Sequence, residues 1–123
     1  MARGIPTPEQ YRAMFRPMHA MIDSVGEPVT IRVRNAAGTY DDHGPIMAKM
    51  SAFRADEIIP GGPAKLGDVR AIVRAGALPP GLRRLENKDR VSWKGRDYAV
   101  TNWDDSSHAV GGETMAVEIW IRG

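Results

Sequence analysis

A chain of 123 residues, 42% hydrophobic and 26% charged, has the size and composition of one folded domain, which excludes global disorder. It contains no cysteine, excluding disulfides and thiolate metal sites, and no apolar run that could cross a bilayer as a helix. The formal net charge of +2 is too small to mark a nucleic-acid binder.

The first predicted element is a helix over 7–25. Thr7 suits the N-cap, Pro8 the first helical position, and Glu9 and Gln10 the first turn. Tyr11, Met14, Phe15, Met18, Met21, Ile22 and Val25 recur at spacings of three and four and trace one stripe. Pro17 should kink or split the helix, Gly26 ends it and Pro28 blocks its return. A stripe of this kind reads as core or as a docking surface, to which soft Met side chains would adapt. Tyr11, Met14, Phe15, Met18, Met21 and Ile22 are the candidate docking residues. Residues 1–6 lack the apolar core of a secretory signal, so the protein is expected to stay where it is made.

After Gly26 the period changes to two. Val29, Ile31 and Val33 alternate with polar residues as a half-buried strand. Residues 35–44 read as a polar loop, and 46–54 as a second strand with Ile46, Ala48, Met50 and Ala52 on one face. Next come Asp56, Glu57, Ile58, Ile59, Pro60, Gly61 and Gly62, a loop because of its Pro and Gly. Its Ile58-Ile59 pair either tucks onto the body or waits for a partner, which makes these seven residues the candidate partner loop. Residues 68–75 resume alternation, with Val69, Ala71 and Val73 opposite Arg70 and Arg74. A break at 76–81 and a basic stretch with Arg83, Arg84, Lys88 and Arg90 follow. Residues 90–93 and 97–103 form a hairpin across Lys94-Gly95. A polar link over 104–112 leads to a closing strand over 113–122, with Met115, Val117, Ile119 and Ile121 on one face.

The expected fold is mostly β: one domain over 1–123, a small barrel of about six strands after one N-terminal α-helix. The barrel should occupy 28–123, with long loops near 35–44, 55–67 and 104–112. Charge is unevenly spread: 64–96 holds nine basic and three acidic residues (+6), whereas 97–118 holds five acidic and no basic ones (−5). Either the domain has sides of opposite sign that suit head-to-tail contacts, or the charges pair within the monomer.

Chemistry leaves little trace. His19, His43 and His108 have no second ligand at metal spacing, and Asp41-Asp42-His43 reads as a polar turn. Ser106, Ser107 and His108 are adjacent, the wrong geometry for a triad. The pairs Asp56-Glu57 and Asp104-Asp105 tend to point apart. No catalytic residue, metal or cofactor is therefore expected, and an enzyme is not. Trp93, Tyr98, Trp103 and Trp120 beside Arg83, Arg84, Lys88 and Arg90 keep a second class open, an OB-like module for single-stranded nucleic acid.

The run Asp89-Arg90-Val91-Ser92-Trp93-Lys94-Gly95-Arg96-Asp97-Tyr98-Ala99-Val100 resembles a hairpin near the end of the head-tail connector proteins of tailed bacteriophages, the head-closure or stopper proteins. The closing run from Gly111 to Gly123, the loop from Arg54 to Gly62 and the run from Gly67 to Val73 are similar to that group too, so the likeness spans roughly 29–123. It implies a virion structural protein of the phage neck, assembled in the bacterial host cytoplasm. Copies would form a homo-oligomeric ring of about six between the portal and adaptor proteins and the tail. That ring would continue the channel for double-stranded DNA and hold the genome in, with no membrane involved. The 56–62 or 35–44 loop would project toward the channel or the next ring. Arg83, Arg84, Lys88 and Arg90 would contact DNA phosphates or a neighbouring subunit. The simplest members begin almost directly with a strand, so the helix leaves adaptor and tail terminator as alternative positions in the same neck.

Overall fold

The computed structural model describes residues 17, 18, 20–22, 24–110 and 113–123. Six strands close a barrel: β1 (Glu27–Arg34), β2 (Tyr40–Ala52), β3 (Val69–Arg74), β4 (Arg90–Trp93), β5 (Arg96–Asp104) and β8 (Ala116–Arg122). A two-stranded ribbon of β6 (Ala109–Val110) and β7 (Glu113–Thr114) stands between β5 and β8. Around the barrel the order is β1-β2-β3-β8-β5-β4, with every neighbouring pair antiparallel. The fold is thus the mostly β barrel that the alternation predicts. Ile31, Val73, Val91, Ile119 and Ile121 are fully buried inside it.

Among the described residues, 17, 18, 20–22, 24 and 25 are helical. Gly26 N–H donates to Ile22 O at 2.9 Å, and Ile22 is fully buried. Met18 is half-buried and Met21 exposed. Thr7, Tyr11, Met14, Phe15 and His19 lie outside the described residues.

The polar loop expected over 35–44 is corrected: only 35–39 turn, and Tyr40 to Gly44 are the first part of β2. Arg34 stands opposite Tyr40 and Ile31 opposite His43. The cause is a charged outer wall. Arg32 Nε donates to Asp42 Oδ1 at 2.9 Å and its Nη1 to Asp97 Oδ2 at 2.7 Å, so charges that look like loop residues pair across three strands. Between Val29 and Ile31 the register slips: two steps on β1 face three on β2, from His43 to Ile46. This bulge falls at Gly44, where a Cβ would stand 2.9 Å from Val29 O and 3.1 Å from Thr30 Cα. The expected closing strand over 113–122 is also divided, into β7 and β8, and the link before it holds β6. The β4–β5 turn is as expected, with Lys94 and Gly95 both at positive φ (52° and 75°).

Antiparallel pairing sorts the connections between two ends. One end carries 35–39, 75–89, 105–110 and 113–115. The other carries the helical residues, 53–68 and the Lys94-Gly95 turn. The 75–89 segment caps the first end: Leu85 is buried in the core, and Leu78 and Leu82 pack against it.

Two buried aspartates fix where β3 and β4 begin. Asp89, with no exposed surface, accepts from Arg83 Nη1 and Nη2 at 2.7 Å each, from Glu86 N–H at 2.8 Å and from Arg34 N–H at 2.9 Å. Asp68, 1% exposed, accepts from Arg122 Nε at 2.7 Å, Arg122 Nη2 at 2.8 Å and Lys65 N–H at 2.8 Å. The turns match: each aspartate N–H donates to the carbonyl three residues back, Lys65 or Glu86, at 3.0 Å. Each turn also begins with a buried apolar residue, Ala64 or Leu85.

Removing one partner of such a pair leaves the other buried and unmatched. Asp89→Ala should therefore cost about 3–5 kcal/mol in urea unfolding. Hydrogen bonds from Arg122 hold the Asp68 carboxyl below the usual range, against the opposing effect of burial. Burial pushes Asp89 up, but Arg83 and the Glu86 and Arg34 amides together outweigh it and leave it lowered. A carboxyl lowered by folding stabilises the fold above its unfolded value and loses that contribution as pH falls through the folded one. The urea midpoint should thus hold near neutrality and drop below about pH 4; a midpoint flat into strong acid would contradict it.

Candidate interaction surfaces

No cleft opens among the described residues, and no three metal-ligating side chains gather there. What the barrel offers is surface, and its two ends differ.

At the end that receives the helix, the 53–68 loop is tied down at several points. It starts with a 3-10 turn (Ala55–Glu57). Glu57 Oε1 accepts Arg54 N–H at 2.8 Å and Oε2 accepts Arg70 Nη2 at 2.6 Å. These two interactions, in that order, hold the Glu57 carboxyl below its ordinary range. Gly62 N–H donates to Ile59 O at 2.8 Å, Arg122 Nη2 reaches Pro63 O at 3.3 Å, and Ala64 is buried. Out of this anchored loop stand Ile59, 69% exposed, and Leu66, 85% exposed. The Ile58-Ile59 pair divides: Ile58 is half-buried and Ile59 faces out. Sequence reasoning missed Leu66, whose only signal is an aliphatic residue beside Gly67 in a turn.

The basic group lies at the opposite end. Arg83 is committed to Asp89, which also stabilises its charged form. Arg90 Nη1 donates to Asn87 O at 2.7 Å and Asp89 O at 2.9 Å. Arg84 Nη2 donates to Trp103 O at 3.1 Å, and Lys88 lies 3.3 Å from Glu86. Arg84 and Lys88 are the exposed members. The fold thus gathers Arg83, Arg84, Lys88 and Arg90 in and beside one capping segment, which shares its end with the 35–39 turn. It places them away from Asp56–Gly62 and from Met21 and Ile22.

Part of the uneven charge is paired within the monomer. β3, with Arg70 and Arg74, neighbours β8, which carries Glu118 and Arg122 and is neutral, and β4, with Arg90, neighbours β5, which carries one arginine and two aspartates. Arg70 pairs with Glu118 at 3.0 Å and Arg32 with Asp97. The aromatic residues do not form one platform. Trp93 and Tyr98 lie 5.7 Å apart beneath Lys94 and Arg96, at the end remote from the basic group. Trp120 meets Phe53 edge-on at 4.8 Å, and Trp103 belongs to the core.

Ser106 and Ser107 serve a turn. Both their hydroxyls and both their amides donate to Asp104, and Ser107 followed by Ser106 lowers its carboxyl to about 2. His108 reaches away from them to Glu118. Comparison with known protein families, curated proteins and solved structures finds no match to this chain.

Ile59 and Leu66 contribute little to their own fold. Ile59→Ser with Leu66→Ser should change unfolding stability by no more than about 0.5 kcal/mol. The same variant should elute earlier from a hydrophobic-interaction column, and an unchanged retention would show that these side chains are not presented to solvent.

Proposed function

We propose that the chain is a structural subunit of a tailed-phage neck, of the head-closure kind, acting in a ring that joins the filled head to the tail and continues the DNA channel. The observation that carries this reading is the difference between the barrel's ends. A firmly anchored loop displays Ile59 and Leu66 at one end, and a capping segment bears Arg84 and Lys88 at the other. Subunits stacked along an axis need two unlike ends, because each must meet a different neighbour. Holding the loop rigid lowers the ordering cost of docking. Exposed cations on the opposite face suit sequence-independent contact with phosphate or with an acidic neighbour. The resemblance of 29–123 to head-closure proteins points the same way. The work of such a subunit is mechanical, with no reaction and no cofactor.

The single-stranded nucleic-acid alternative needs stacking aromatics beside the group Arg83, Arg84, Lys88 and Arg90. Here Trp93 and Tyr98 lie at the other end, and the cations over them are Lys94 and Arg96.

Deleting residues 58–62 in the encoding phage should give filled heads that leak DNA or fail to join tails, scored by electron microscopy and plaque titre. Normal infectious particles would remove the loop from the mechanism. Micromolar binding of a single-stranded oligonucleotide by the purified protein would favour the other class.

A further inference from the structure

Four ionisable side chains run along the outer wall of β3 and β8 from one end of the barrel to the other. His108 Nε2 lies 2.9 Å from Glu118 Oε2, Glu118 Oε1 lies 3.0 Å from Arg70 Nε, and Arg70 Nη2 donates to Glu57 Oε2 at 2.6 Å. His108 belongs to the ribbon segment at the basic end, where its carbonyl accepts Met115 N–H at 3.0 Å. Glu57 holds the first turn of the loop that displays Ile59 and Leu66. All four side chains are between 12% and 27% exposed, so solvent ions screen them only in part.

One link in this chain is unmade. Arg70 Nε is buried and donates to nothing, although a carboxylate oxygen stands 3.0 Å away. That oxygen, Glu118 Oε1, accepts the Trp120 indole N–H at 3.2 Å instead. Arg70 is therefore hydrogen-bonded to Glu57 and only charge-paired with Glu118. A second arrangement, with the guanidinium turned so that Nε donates to Glu118, would satisfy the idle donor and shift Nη2 from its present place against Glu57. Two discrete arrangements of one guanidinium are the kind of element through which separate sites can be coupled.

We propose that the charge on His108 sets, through Glu118 and Arg70, how firmly the 53–68 loop is held at the other end of the barrel. An imidazolium draws on the charge of Glu118 and leaves Arg70 with Glu57. When the proton leaves, Glu118 presents its full charge to Arg70, the guanidinium turns toward it, and the loop loses an anchor. His108 contacts Glu118 from β8, which leads to Arg70 from β3 and Glu57 from the 3-10 turn, and Arg74 at the end of β3, Asp105, and Glu113 on β7 are further charged groups at its end of the barrel. On its own segment Asp104 is turned back onto Ser106 and Ser107. Glu57 and Asp104 both stay ionised where imidazoles titrate, so the histidine is the lever. The coupling does not depend on the neck reading and is tested without a phage.

The reporter is the Arg54 backbone amide, which donates to Glu57. In nitrogen-15-labelled full-length protein its shift should move with pH in step with the ring signals of His108. His108→Gln should abolish the movement. Arg70→Lys, which keeps the charge but cannot span two carboxylates, should abolish it while His108 still titrates. A flat Arg54 shift in the natural protein would overturn the proposal. So would movement that survives Arg70→Lys, since a direct field effect needs no guanidinium.

Discussion

The barrel depends on two aspartates that are buried with their charge. Asp68 and Asp89 each stand one residue before or at the start of a strand, and each is saturated by a forked guanidinium and backbone N–H groups. Such sites trade desolvation against hydrogen bonding and add little over a well-packed apolar replacement. What they confer is position. Asp68 joins the turn before β3 to Arg122 on β8, and Asp89 joins the turn before β4 to the end of β1 through Arg34. A slip of either strand by one residue would move its aspartate out of reach of its arginine. Register is thereby pinned at two places where loops enter the barrel.

The same pins shape both faces offered to partners. Arg83 grips Asp89 and so cannot be a free cation, yet that grip lays the capping segment across the barrel end and leaves Arg84 and Lys88 outward. Arg122 grips Asp68 and also reaches Pro63, so the residue that fixes β3 steadies the loop bearing Ile59 and Leu66. Interior charge pairing and exterior presentation are one arrangement seen from two sides.

What the sequence made legible follows from period. β1, β3 and β8 alternate cleanly because one face is core and the other solvent, and Lys94-Gly95 announces its own turn. The first half of β2 was illegible because Tyr40, Asp41, Asp42 and His43 supply no apolar face; they are a strand through their pairing with β1 and the Arg32 bridges. Asp68 and Asp89 look like solvated loop residues, since nothing local reveals an arginine 54 positions away or a cap closing over a carboxylate. The candidate partner loop was visible by its Ile58-Ile59 pair, though only Ile59 faces out. Its stronger apolar residue, Leu66, sits beyond the segment that drew notice. The relay from His108 to Glu57 joins residues from four segments and exists only once β3 and β8 lie side by side.

The position of β8 bears on how the molecule is made. It is the last of the six staves to leave the ribosome, yet it belongs between β3 and β5, two strands that precede it. Until it emerges, both those strands present unpaired backbone, the wall is open, and Asp68 waits without its arginine. The barrel is therefore completed by insertion, not by extension of an existing edge, and the nascent chain carries two adhesive edges until β8 is made. Cells that make many copies at once must keep those edges from finding one another before the last stave arrives.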